Sequence, residues 1–167
     1  GVDSGVRSRA AAVLVADDRT DLAPLALALV PEQFRNDPAS PWVTTAARAR
    51  FLAGDGAGAL DLMGRAMALH PAERIPVDVD LCHADLLVAA GRDREAASLL
   101  LCRLPLRTGP AAARLSGRAG HLLLALRDHA AARPLLEAAG RADIPDVRTQ
   151  ARLDLASLNL ATGDAAA

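Results

Sequence analysis

The side chains best placed to do chemistry fall into two short sets. Asp78, Cys82 and Asp85 are spaced to share one face of a helix, and so are Arg114, Arg118 and His121. Taken with His121, the first set offers a metal three or four ligands, but neither the Cys-x-x-Cys nor the His-x-x-x-His spacing of common zinc sites occurs. Adjacent Cys82 and His83 point about 100° apart on a helix and cannot chelate together. A Cys82/His121 nucleophile–base pair would need hydrogen-bond reach between distant segments, and no Gly-rich oxyanion loop accompanies it. Gly54-Asp55-Gly56-Ala57-Gly58 lacks the lysine and spacing of a phosphate-cradling loop and reads as a turn. No catalytic residue, metal or cofactor is therefore expected. What remains is recognition, because both stripes are polar where a purely structural inner helix would carry Leu and Ala.

The elements that must hold these stripes are helices. Apolar residues make up 51% of the chain and are mostly Ala and Leu, which favour helix over strand. With one Trp, two Phe and no Tyr, the core is expected to rest on close approach of small residues rather than on aromatic plugs. Nineteen basic residues, all arginine, face twenty acidic ones, and the arginines are scattered without interleaved aromatics. That pattern argues against direct nucleic-acid contact. Cys82 and Cys102 are too few for a disulfide framework and read as small buried hydrophobes. The apolar run Ala10–Val15 is stopped by Asp17-Asp18-Arg19, and Leu22–Val30 carries Pro24, so no membrane span is expected. The default compartment is the cytoplasm.

A short phrase recurs along the chain. Gly54, Gly91, Arg127 and Gly163 stand 37, 36 and 36 residues apart, each after a Leu/Ala-rich stretch and beside an Asp or Arg. A fixed period of this size marks stacked supersecondary units. The periodicity predicts helices over Trp42–Ala53, Ala57–Leu69 and Val77–Ala90. Further helices are predicted from Asp93 to about Leu104 and over Ala111–Leu126, His129–Gly140 and Val147–Ala161. Asp93 is expected to cap the helix it precedes, and Pro134 to delay or kink its own. A less regular pair, Val6–Ala16 and Asp21–Val30, precedes them.

Aligned on these turns, Ala59, Ala96 and Ala132 fall five residues after the turn residue, and Ala66 and Ala139 follow in the same helices. Ala47, Ala84, Gly120 and Ala156 fill a small-residue slot in the preceding helices, and Pro71 closes one unit. This pattern, over about residues 40–167, resembles the tetratricopeptide repeat. Three features depart from it. The units are longer than the family's 34 residues, the aromatic positions hold Leu, Met or Arg, and Arg103 replaces a small residue. The length and the Leu/Ala content are similar to the helical-repeat middle of large bacterial transcription regulators.

The resemblance implies an all-α, right-handed solenoid of antiparallel helix pairs. Its divisions would be a degenerate first pair at 1–38, full repeats at 40–75, 76–111 and 112–146, and a truncated one at 147–167. Ending on half a repeat, the chain reads as an excerpt from a longer protein. The resemblance also implies a non-catalytic interaction or regulatory module that receives a peptide, an effector or a sister domain on its concave face. Carried over residue by residue, that face comprises Thr44, Arg48, Asp78, Cys82, Asp85, Arg114, Arg118, His121, Gln150, Asp154 and Ser157. The Lys/Asn set that clamps a terminal carboxylate in some members is absent. The alternating charges fit a mixed-charge ligand, or they pair among themselves, Asp78 with Arg114 and Asp85 with Arg118. The rival role is self-association, with Val147–Ala161 stacking on a second copy.

Overall fold

The computed structural model describes Val13 and residues 20–163. The helix expected at Val6–Ala16 lies, Val13 apart, outside the described residues. Within them the secondary structure is helical, with no strand. None of these helices is long and apolar enough to cross a membrane. The chain divides after Ala90 into two compact units, Gly1–Ala90 and Gly91–Ala167.

In the first unit a 3-10 turn, Thr20–Leu22, leads into α1 (Ala23–Leu29), with Pro24 in the first turn, where its missing N–H costs nothing. A proline-rich link leads to α2 (Val43–Leu52), whose start is tied by the Ser40 hydroxyl accepting from the Trp42 N–H at 3.0 Å. Helix α2 closes at Gly54, with φ +89°, the left-handed geometry that glycine adopts without steric cost. Asp55 then caps α3 (Gly56–Ala68), its carboxylate accepting from the Gly58 N–H at 2.9 Å. Pro71 and Pro76 bracket a short 3-10 turn before α4 (Val77–Ala89). Trp42, Leu62 and Met63 are buried with Ala46, Ala47 and Ala59 in one apolar cluster, against which Phe51 packs. Here the expectation of a core without aromatic plugs is corrected: Trp42, at the mouth of α2, is only 5% exposed.

The second unit comprises α5 (Asp93–Arg103), α6 (Gly109–Ala125), α7 (His129–Gly140) and α8 (Pro145–Thr162). Helix α6 packs on α5, α7 and α8, and α7 also packs on α8. Small residues do set this core. A Cβ placed on Gly120 would lie 2.7 Å from the Leu136 Cδ2 and 3.3 Å from the Leu136 backbone nitrogen, so α6 and α7 approach too closely for a side chain. Leu136 is fully buried.

Two local expectations change. Asp93 is the first residue of α5 rather than its cap; Arg92 holds the cap position and makes no side-chain cap bond. The reason is spacing. Asp55 and Asp128 follow their left-handed residues directly and cap α3 and α7, whereas Arg92 is interposed after Gly91 and pushes Asp93 into the helix. Pro134 does not delay α7, which begins at His129, and α7 forgoes one intrahelical bond at the proline. Arg127 adopts φ +62°, the only non-glycine among the described residues with positive φ.

Candidate functional site

Each unit ties two of its helices through polar side chains. In the first, Arg48 of α2 and Asp85 of α4 each stand six residues ahead of a left-handed corner, Gly54 and Gly91. The Arg48 guanidinium donates to the Asp85 carboxylate at 2.9 Å, with both side chains about one-third exposed. Cys82, one turn before Asp85, is buried, and its thiol donates to the Thr44 carbonyl at 3.7 Å. Thr44, Arg48, Cys82 and Asp85 thus converge between α2 and α4.

The electrostatics of this group follow from burial and charge. Burial pushes the Cys82 thiol up from 9.0 to about 11, against the opposing pull of Arg48. At neutral pH the sulfur therefore stays protonated, which is the wrong form for a nucleophile or a metal ligand. Burial alone would make the Arg48 guanidinium easier to deprotonate, but the neighbouring Cys82 and Asp85 outweigh it and hold its pKa above the ordinary value. A half-exposed ion pair of this kind contributes about 0–1 kcal/mol. Its value is geometric, fixing how α2 and α4 align.

In the second unit His121 of α6 again stands six residues ahead of a corner, Arg127, and reaches Asp154 of α8. The carboxylate is an acceptor only, so His121 Nδ1–H donates to Asp154 Oδ2 at 3.0 Å, and Gln150 Nε2 donates to Oδ1 at 3.1 Å. Asp154 is buried at 6% exposure, whereas the His121 side chain is 43% exposed. A buried carboxylate with both oxygens satisfied avoids the penalty of an orphaned acceptor and orients the imidazole. The ring keeps Nε2 for a further partner.

The other expected residues are placed differently. Asp78 is exposed in the first turn of α4, where an acid suits the helix dipole. Arg114 and Arg118 are half-buried on α6, two turns and one turn before His121 respectively. Ser157 is exposed and donates to its own helix, at the Leu153 carbonyl 3.1 Å away. Within the first unit Asp85 pairs with Arg48. One residue escaped the sequence reading: Asp80 is completely buried in α4. Its place between Val79 and Leu81 gave only the weak signal of an acid flanked by apolar residues. Among the described residues no group of three His, Cys, Asp or Glu is placed to hold a metal ion.

No family model, curated protein or solved structure matches this chain, so its resemblance to the tetratricopeptide repeat rests on its own residues.

Proposed function

We propose that the chain is a tetratricopeptide-like, right-handed α-solenoid acting as a non-catalytic interaction module. In each unit the helices that end at the left-handed corners, α2 and α4 in the first and α6 and α8 in the second, form the binding face. That face receives a peptide, an effector or a sister domain, and the parent protein is a bacterial transcription regulator, as repeat length and Leu/Ala content suggest.

One observation carries this reading. Six residues ahead of successive corners stand Arg48, Asp85 and His121, and each bonds a side chain of another corner-ending helix while remaining about one-third exposed or more. A wall meant only for packing would bury apolar groups there. These positions instead keep charged and hydrogen-bonding atoms at the surface, held in place by their neighbours, as preorganised recognition requires. The protonated Cys82 thiol also supports a role without covalent chemistry.

The test is selection from a phage-displayed random peptide library on the whole chain, repeated with Arg48→Ala/His121→Ala. Peptides enriched on the parent and lost on the double variant support the reading. No enrichment, or enrichment indifferent to both substitutions, refutes it.

A further inference from the structure

His121 is held so that one ring nitrogen is committed and the other is open. Its Nδ1–H donates to Asp154 Oδ2 at 3.0 Å, and Gln150 pins Oδ1 of the same carboxylate at 3.1 Å. Asp154 is buried and has no solvent to turn toward, which keeps the ring proton on Nδ1. In the neutral ring the lone pair then sits on Nε2. That nitrogen bonds no other described residue, and its side chain is 43% exposed.

A ring oriented by a third group, with its lone pair facing outward, is the arrangement that makes a histidine a nucleophile. The other histidines are held differently. Among the described residues His70 and His129 bond no carboxylate, and His83 turns Nδ1 to the Met67 sulfur 2.7 Å away. Charge indicates the electrophile. Arg118 stands one turn before His121 on α6 and Arg114 two turns before, and the planar fork of a guanidinium suits phosphoryl oxygens.

We propose that His121 is a site of phosphorylation, accepting a phosphoryl group on Nε2 from a small donor of the acyl phosphate or phosphoramidate class. Nε2 forms a bond to phosphorus while the bond from phosphorus to the leaving group breaks. A carboxylate or ammonia departs with that electron pair. Nδ1 keeps its proton, and Asp154 offsets the positive charge that the ring acquires. The chain is consumed as an acceptor and does not turn over, so the module stays non-catalytic while its α6–α8 face gains a negative group. The step needs only the α6–α8 tie, whether or not that face receives a ligand.

The test incubates the whole chain with potassium phosphoramidate in mildly alkaline buffer. Mass spectrometry with electron-transfer fragmentation reads the modified residue, and phosphorus NMR reads the isomer. An acid-labile phosphoryl group is expected on Nε2 of His121, formed at least about tenfold faster than on exposed His70. His121→Gln should abolish the fast phase. In Asp154→Asn the amide oxygen keeps the bond from Gln150 and the NH2 group faces Nδ1, which moves the ring proton to Nε2 and blocks it. The rate at His121 should then fall at least about tenfold, while that at His70 in the same sample stays unchanged. Circular dichroism checks that this variant folds; if it does not, the isomer and the His121-to-His70 rate ratio of the parent chain decide. Equal rates at His121 and His70, an Nδ1 product in the parent, or a rate unmoved in folded Asp154→Asn overturns the proposal.

Discussion

The two units solve one alignment problem with different chemistry. In the first, α2 and α4 are joined by an ion pair open to water, above a core plugged by Trp42, Leu62 and Met63. In the second, α6 and α8 are joined by a carboxylate taken out of water and satisfied by His121 and Gln150, beside a contact so close that only glycine fits. A tie exposed to solvent is screened and weak, whereas one that is buried is costly to break, because its loss strands a polar group. The difference teaches that either kind of polar tie can align two helices, while burial decides how much stability the tie carries.

The sharpest way to break this comparison is at the α6–α7 contact. Leu136→Ala should cost about 2–5 kcal/mol in urea unfolding followed by circular dichroism, through the cavity it opens. Gly120→Ala gains about 1 kcal/mol of helix propensity but should be a net loss, because overpacking costs about 1–3 kcal/mol. The double variant should be less damaged than the two losses added together; simple additivity would mean that the contact is not the constraint. Next come the ties themselves. Asp154→Ala should cost about 1–3 kcal/mol and Asp85→Ala no more than about 1 kcal/mol, and equal costs would erase the distinction between the units.

A titration sharpens the contrast further. The folded Cys82 thiol ionises near 11 and the unfolded one near 9.0, so the unfolded state loses its proton first as pH rises. Stability should therefore fall between pH 9 and 11, by at most about 1.4 kcal/mol per pH unit from this group, and Cys82→Ala should remove that slope. At neutral pH a maleimide should label exposed Cys102 rapidly and buried Cys82 only upon unfolding. The smallest effect is at the corners. Gly54, Gly91 and Gly163 sit at positive φ without strain, but Arg127 does not, and Arg127→Gly should raise the melting midpoint, with a gain of about 0.5–1 kcal/mol.

The helices were legible because their signals are local. The period of the corners, the Leu/Ala content and the prolines bounding the links placed His129–Gly140 at its observed limits and the other helices of 40–163 within about two residues of theirs. The site was legible as a set of faces and not as a set of partners. Helical spacing puts 78, 82 and 85 on one side, but whether Asp85 meets Arg48 depends on how α2 and α4 align in space, which no short-range pattern carries. Asp154 was read as a groove residue open to a ligand, and it is buried, because α8 turns that side toward α6. Capping at α5 failed for the opposite reason: a single interposed residue, Arg92, outweighs the general preference for Asp at a helix start.

Trp42, Phe34 and Phe51 all belong to the first unit, and the second contains no aromatic side chain. Intrinsic fluorescence thus watches half the molecule, and the other half is optically silent above the peptide band. A tryptophan trace that lags or precedes the ellipticity trace would reveal the halves unfolding separately. Coincident traces would show that they melt as a single cooperative body.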